Sequence, residues 1–161
     1  MTDATNLLQT ALHDWVTPAL ALLPQSLNTL ARRQLVLGTG YKESGYIHDH
    51  QLGGGPALGF WQMEPRTHDD MWRRFFPSRP ELADSARTAA KCRIPTSADL
   101  LNCPVYAALM CALYYYQSPV ALPRAFDAVG QASMWKRVYN GPGAGVVSEA
   151  VQYFRAANEI Q

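Results

Sequence analysis

The run from Pro104 to Gln117 constrains the fold of this chain more than any other feature. It holds no charged residue, and a helix drawn through it would be apolar on nearly every side, through Val105, Leu109, Met110, Leu113 and Tyr114. A helix that is apolar all round is buried among other elements. The 161 residues are enough for one compact domain around such a helix and too few for two. We therefore expect residues 1–161 to form a single domain, with residues 1–25 as an N-terminal helical extension.

Apolar residues recur at helical spacing along most of the chain. No segment shows a clear alternation of apolar and polar residues, which would indicate a β-strand. A first helix is predicted from about Thr5, with a break near Pro18. A second is predicted to open at Ser26, a good helix cap, with a core-facing stripe of Leu27, Leu30, Leu37 and Tyr41. Further helices are predicted over residues 67–76, 80–92, 104–117 and 133–139, and a last one with the stripe Val147, Val151, Phe154 and Ile160. The predicted fold class is mainly α.

Residues 45–65 interrupt the helical pattern. Gly53-Gly-Gly-Pro56 is a strong cluster of helix breakers, and Gly59 follows closely. We expect this segment to be irregular or to hold a small β element. It is long for a connection without regular structure, and such connections often carry function.

Charge and hydropathy exclude several classes of protein. The net charge of +1 does not favour a nucleic-acid binder. No apolar stretch approaches the roughly 20 residues that a membrane helix needs, and the first residues lack the pattern of a secretory signal. We therefore expect no nucleic-acid partner, no membrane insertion, and synthesis in the cytoplasm without an export signal.

The three cysteines are Cys92, Cys103 and Cys111. An odd number without a closely spaced pair indicates neither a disulfide framework nor a thiolate zinc site. Free buried thiols are the expectation, while a single bridge such as Cys92 to Cys103 stays open. No cofactor is predicted.

Glu43 lies between the second predicted helix and the glycine-rich segment, in Tyr41-Lys-Glu-Ser-Gly45. Thr39 and Gly40, one turn earlier, are small enough to leave room for a ligand, although close helix packing would use the same residues. A carboxylic acid in a partly apolar pocket has a raised pKa and can deliver a proton at neutral pH. Glu43 is thus a candidate general acid, and a solvated charge at a helix end is the alternative.

Three separated segments resemble the signature of the soluble lytic transglycosylase family and its relative, goose-type lysozyme, in the lysozyme-like superfamily. Glu43-Ser44 matches the family's Glu-Ser pair. The run Ala57-Leu-Gly-Phe-Trp-Gln-Met-Glu-Pro-Arg-Thr67 is similar to Gly-Leu-Met-Gln-Ile-x-Pro-x-Thr, and Val138-Tyr-Asn-Gly-Pro-Gly143 to Ala-Tyr-Asn-Ala-Gly-Pro-Gly. Phe60-Trp61 replaces the family's Leu-Met, and the third motif lacks one small residue. The resemblance implies a lysozyme-like helical domain that acts on peptidoglycan.

Carried over to this chain, the family pattern makes Glu43 the general acid and base. Ser44 would contact the sugar or brace Glu43. Gln62 would line the cleft and form a hydrogen bond with the substrate, or else satisfy amides of its own loop.

The pattern assigns three further residues to the same site. Trp61 would stack on a sugar ring, unless it belongs to the core as most aromatic residues do. Tyr139 would direct its hydroxyl group at Glu43, or only anchor a helix end. Asn140 would hold the turn beside Tyr139.

The implied reaction is cleavage of the β-1,4 bond between MurNAc and GlcNAc by a lytic transglycosylase, which leaves 1,6-anhydro-MurNAc ends and needs one carboxyl group. A hydrolytic lysozyme of goose type is the alternative, and it needs a second carboxylate opposite the acid. Asp49 is the candidate for that second carboxylate. Glu64, Asp69 and Asp70 follow Gln62 of the second motif. The expected partner is the peptidoglycan glycan strand.

Two other functions compete with this one. His48-Asp49-His50, with His68 and Asp69-Asp70, has the ligand types that zinc prefers, although the prediction is that no metal binds. The second competing function is a non-catalytic sugar-binding or virion module with the same fold.

A small peptidoglycan-cleaving domain without a signal resembles bacteriophage proteins, which are released for lysis or carried in the virion to penetrate the wall. Other phage virion or lysis proteins would then be possible partners.

Overall fold

The computed structural model describes residues 2–160 and confirms the mainly α fold class. Its α-helices in chain order are α1 Asp3–Thr10, α2 Thr17–Ala21, α3 Leu30–Ser44, α4 Pro65–Asp70, α5 Pro80–Ala90, α6 Ala98–Asn102, α7 Pro104–Gln117, α8 Ala128–Met134 and α9 Val147–Asn158. Wider π-helical turns cover Ala11–Val16, Met71–Phe75 and Trp135–Asn140, and short 3-10 turns cover Gln25–Leu27 and Phe76–Ser78.

The apolar run predicted as a central helix is α7, with the predicted bounds. Its residues from Tyr106 to Leu113 are all buried. Helices α2, α3, α5 and α6 and two of the π-helical turns pack against it. The N-terminal helix, predicted as an extension, buries Leu8, Leu12 and Leu20 in this same core.

The break predicted near Pro18 is wrong, because the helix continues to Ala21. The turn Ala11–Val16 widens to π-helical spacing just before the proline, and the amide of Thr17 donates to the carbonyl of Leu12. A proline in a helix lacks one amide donor and collides with the carbonyl four residues earlier. The wider turn relieves that collision, so the chain bends away only at Leu22 and Pro24.

The start predicted at Ser26 is also wrong. Pro24 leads into the 3-10 turn Gln25–Leu27, and α3 begins only after Thr29, whose hydroxyl accepts from the amide of Arg32 at 3.2 Å. Leu30, predicted in the core, is consequently the first residue of the helix and is 39% exposed.

Two other helices differ from the prediction. Helix α8 begins at Ala128 rather than Ser133, because the carboxylate of Asp127 caps it by accepting from the amide of Gly130 at 2.9 Å. Helix α6 was not predicted, since its five residues are too few to show a period.

The segment 45–65 is irregular, as predicted, with isolated antiparallel bridges from Leu58 to His50 and to Met63. The three cysteines are free, so the bridge from Cys92 to Cys103 left open above is not formed. Within residues 2–160, no helix combines the length and the apolar character needed to cross a membrane.

Helices α3 and α9 pack closely at Gly38, because a Cβ atom there would lie 2.2 Å from Cδ1 of Phe154. Phe154 is fully buried, so its ring has little freedom to move. Gly38→Ala should therefore lower the free energy of unfolding by about 1–3 kcal/mol, although alanine is normally the better helix former by about 1 kcal/mol. Urea denaturation measures this change.

Phe154→Leu provides the control for this prediction, since the smaller side chain leaves space for the added methyl group. A double-mutant cycle should show that Gly38→Ala costs less in the Phe154→Leu background than in the natural chain. An increase in stability on Gly38→Ala alone would contradict the packing described here.

Candidate functional site

A cavity of about 490 Å³ lies where the end of α3, the irregular segment and the turn after Asn140 meet. One side of it is lined from α7 and α4 by Tyr114 and Thr67. Its other lining residues are Glu43, His48, His50, Gln51, Leu52, Ala57, Gln62, Met63, Glu64, Tyr139, Asn140, Gly143 and Ala144. The cavity thus brings together residues from all three segments that carry the resemblance.

Glu43 enters this cavity from the last turn of α3. The helix ends directly after it, because Gly45 adopts a left-handed conformation (φ 62°) and its amide donates to the carbonyl of Tyr41. The carboxyl Oε1 atom of Glu43 accepts a hydrogen bond of 2.7 Å from the indole nitrogen of Trp135. The carboxyl group is therefore held in place by a partner and does not move freely in solvent.

Burial raises the pKa of Glu43 above its ordinary value. The hydrogen bond from Trp135 and the positive charge of Lys42 favour the carboxylate and partly oppose this rise. Glu43 thus has the electrostatic property required of a proton donor, namely that its neutral form is favoured by its surroundings.

Ser44 does not contact the cavity, so the expectation of a sugar contact is wrong. Its buried hydroxyl donates to the carbonyl of Gly40 at 3.1 Å and accepts from the amide of Tyr46 at 3.0 Å. These bonds brace the turn that follows Glu43. Neither bond reaches Glu43, so a direct bracing of Glu43 by Ser44 stays a prediction.

Trp61 is fully buried, and the prediction that it stacks on a sugar is wrong. Its indole nitrogen donates to the carbonyl of Val36 at 2.8 Å, and its ring packs edge-on against Tyr46 at 5.5 Å. The indole therefore ties the irregular segment to α3, and neither of its faces is open to a ligand.

Gln62 lines the cavity next to Trp61. Its backbone is left-handed (φ 49°), which is uncommon for a residue other than glycine. Its side-chain nitrogen donates to the carbonyl of Gly59 at 2.9 Å. Gln62 thus bonds a carbonyl of its own loop rather than an amide and lines the cavity, and its hydrogen bond to a substrate stays a prediction.

Tyr139 lines the cavity, but its hydroxyl does not point at Glu43 as expected. The hydroxyl donates to the carbonyl of Trp61 at 2.7 Å, and the ring stacks on Tyr115 with centroids 5.4 Å apart. The partner of Glu43 is instead Trp135, four residues earlier in the same π-helical turn. Residues four apart on a helix lie on one face, so the sequence places Trp135 on the face of Tyr139 but does not show which of the two bonds Glu43.

Asn140 lines the cavity and holds the turn beside Tyr139, as expected. Its side-chain oxygen accepts from the ammonium group of Lys136 at 2.8 Å, and its carbonyl accepts from the amide of Gly143 at 3.1 Å. The turn that carries Gly143 is thereby fixed against the end of the π-helical turn.

Asp49, the expected second carboxylate, lies outside the cavity lining. Its side chain is 55% exposed and its carboxylate is bonded to Nδ1 of His50 at 2.8 Å. The irregular segment turns between Asp49 and Leu58, and Glu64 rather than Asp49 reaches the cavity. Glu43 and Glu64 are the carboxylic acids of the lining.

The residues considered as metal ligands are divided between two places. His48 and His50 line the cavity, whereas His68 is buried elsewhere, with Nε2 bonded to the hydroxyl of Tyr106 at 2.7 Å and Nδ1 to Asp69 at 2.9 Å. Among residues 2–160, no three histidine, cysteine or acidic side chains are grouped so as to hold a metal ion.

The raised pKa of Glu43 predicts how its replacement changes stability with pH. The folded carboxyl group holds its proton more tightly than the unfolded one, whose pKa is about 4.3. This tighter proton binding stabilises the folded protein fully below a pH of about 4.3. The stabilisation is lost as the pH rises through the folded pKa, because the buried carboxyl group must then ionise. Glu43→Gln should raise the melting temperature at about pH 7 and change it less at about pH 4.

Thermal denaturation at the two pH values, followed by circular dichroism, measures this difference. Glu159→Gln is the matched control, because Glu159 is exposed and does not line the cavity, and it should show no such pattern. A Glu43→Gln protein that is destabilised at neutral pH would contradict a carboxyl group that resists ionisation.

Comparisons of this chain with protein-family models, with curated proteins and with solved structures found no match.

Proposed function

We propose that this protein is a peptidoglycan lytic transglycosylase with a lysozyme-like fold, in which Glu43 is the single acid and base. The observation that carries the proposal is the position of Glu43, a half-buried carboxyl group of raised pKa in a cavity of about 490 Å³. Gln62, Tyr139 and Asn140 line the same cavity. Residues taken from three distant motifs thus converge on one space, as a glycan-cleaving site requires.

In the first half of the proposed reaction, Glu43 donates its proton to the glycosidic oxygen between MurNAc and GlcNAc. The bond from that oxygen to C1 of MurNAc breaks, and C1 gains oxocarbenium character. Burial of Glu43 supports this step, because it keeps the group protonated to a higher pH.

In the second half, the 6-hydroxyl of the same MurNAc attacks C1 and forms the 1,6-anhydro bond. Glu43, now a carboxylate, accepts the hydroxyl proton and is ready for another cycle. No water is consumed, so one carboxyl group is sufficient. Gln62 and Asn140, which line the cavity, are the residues proposed to contact the sugar hydroxyl and acetamido groups.

A hydrolytic lysozyme is the second candidate function, and Glu64 is the observation that favours it. A hydrolase requires a carboxylate that activates water or stabilises the cation, and Glu64 lines the cavity together with Glu43.

The resemblance to phage proteins extends the proposal to a role in lysis or in penetration of the cell wall, with phage lysis or virion proteins as partners.

Glu43→Gln should slow the clearing of purified peptidoglycan sacculi by at least about 100-fold, since general acid catalysis contributes about 10²–10⁴-fold. Turbidity measures the clearing, and Glu159→Gln should clear at the natural rate. Equal clearing by Glu43→Gln would refute the role of Glu43. An inactive natural protein that still sediments with sacculi would favour the sugar-binding module.

Mass spectrometry of the released glycans separates the two reactions. A transglycosylase yields 1,6-anhydro-MurNAc ends, which are lighter by one water than the reducing ends of a hydrolase. We expect anhydro ends from the natural protein and from Glu64→Gln. Reducing ends that disappear together with activity in Glu64→Gln would establish the hydrolase instead.

A further inference from the structure

We propose that Trp135 is the positioning residue of the site: its indole N–H holds Oε1 of Glu43, so that the transferred proton is carried by Oε2. Lys42, stacked over the indole, is proposed to keep the ring in that orientation. The catalytic part of this inference rests on the proposed function, whereas the coupling between Trp135 and Glu43 does not.

The hydrogen bond from Trp135 differs from most contacts of a carboxyl group, because an indole nitrogen only donates. At 2.7 Å from Oε1, it can bond both the carboxylate and the carbonyl-type oxygen of the neutral acid. The carbonyl-type oxygen is a stronger acceptor than the hydroxyl oxygen of a carboxylic acid. The bond from the indole therefore favours the form of the neutral acid that carries its proton on Oε2.

This asymmetry suits a group that acts first as an acid and then as a base. Oε1 keeps its partner throughout the cycle, so the carboxyl group does not rotate between the two halves. Oε2 loses a proton to the leaving oxygen and later gains one from the attacking hydroxyl. Positioning of this kind lowers the barrier because less reorganisation remains for the reaction itself.

Trp135 is held from two sides. The ammonium group of Lys42 lies 5.0 Å from the centre of the indole ring and 5.3 Å from that of Tyr153, within the range of cation–π attraction. A Cβ atom on Gly145 would lie 2.3 Å from Cη2 of Trp135, so the edge of the ring occupies the space that this glycine leaves. Trp135 itself is only 1% exposed.

Charged and titratable groups reach Glu43 from each element around it. Lys42 is its neighbour on α3, and Cys111 and Tyr115 approach from α7 as neutral buried groups whose pKa values are themselves raised. Tyr139 belongs to the same π-helical turn as Trp135, and its pKa is also raised by burial.

Three further titratable residues line the cavity together with Glu43, namely His48, His50 and Glu64. Of these groups and Trp135, the indole makes the hydrogen bond to Glu43.

Trp135→Phe removes the donor and keeps an aromatic ring. Because the hydrogen bond favours the carboxylate, its loss should raise the pKa of Glu43, measured by carbon-13 NMR of the labelled carboxyl group. The alkaline limb of the pH–rate profile should move to higher pH. We expect kcat to fall about 10- to 100-fold, the effect of one hydrogen bond to a charged group, with little change in KM.

Trp72→Phe is the matched control. It also removes an indole donor, since Trp72 donates to the hydroxyl of Tyr106 at 2.8 Å, but neither residue lines the cavity. This variant should leave the NMR titration of Glu43 and the pH–rate limb unchanged. A general loss of packing would affect both variants alike.

Lys42→Met tests the second part and keeps the inference testable if Trp135→Phe does not fold. Because the charge of Lys42 by itself favours the carboxylate of Glu43, the readout is the proton NMR shift of the indole N–H of Trp135. This shift should change as the bond to Oε1 weakens, and Lys42→Arg should restore it because arginine also stacks on aromatic rings. Arg87→Met is the control, since Arg87 lies over the ring of Trp72 at 5.3 Å, and it should leave the indole N–H shift of Trp135 unchanged.

The inference is overturned if Trp135→Phe folds and leaves both the titration of Glu43 and kcat at their natural values. If that variant does not fold, an unchanged indole N–H shift of Trp135 in Lys42→Met overturns it. A natural protein that cleaves no glycan refutes the proposed function instead, and the NMR titrations still decide whether Trp135 controls Glu43.

Discussion

The enclosure of α7 is the constraint on which the rest of this structure depends. A helix with apolar residues on all sides is stable in water only when other elements cover every side of it. In this chain α2, α3, α5 and α6 provide that cover, together with the π-helical turns Ala11–Val16 and Trp135–Asn140. Helices α8 and α9 form a further layer, in which α9 packs against α3 and α8.

The cavity is a consequence of this enclosure. Helix α3 packs against α7 and ends at Ser44, so Glu43 emerges at the edge of the core, where water reaches only one side of it. The irregular segment is tied to α3 through the indole of Trp61, and to the π-helical turn through the hydrogen bond from Tyr139 to the carbonyl of Trp61. Three parts of the chain are thus fixed around Glu43.

The turn Trp135–Asn140 connects the core to the cavity. Trp135 is buried and bonds Glu43, whereas Tyr139 and Asn140 line the cavity from the same turn. A π-helical turn is wider than an α-helical one and often marks a functional site. Here one short segment carries both Trp135, which bonds Glu43, and two residues that line the cavity. A small change in the turn would therefore move the partner of Glu43 and the cavity lining together.

Local spacing was sufficient to predict the elements whose signal is long or strong. The bounds of α7, the interruption at residues 45–65 and the place of Glu43 at a helix end all follow from periodicity and glycine clusters, which act within a few residues of chain. Helix starts were less predictable, because Ser26, Thr29 and Asp127 are all residues that cap helices, and only the surrounding packing decides which of them does so.

The arrangement of the site depended on contacts between distant parts of the chain. Nothing near Trp61 in sequence indicates that its ring is buried against α3 while Gln62 faces the cavity, since that depends on a carbonyl of Val36 some distance away. In the same way, the choice of Glu64 over Asp49, and of Trp135 over Tyr139 as the partner of Glu43, was made by tertiary packing. A motif can identify which residues meet, but the direction of each side chain follows from the hydrogen bonds that burial obliges it to make.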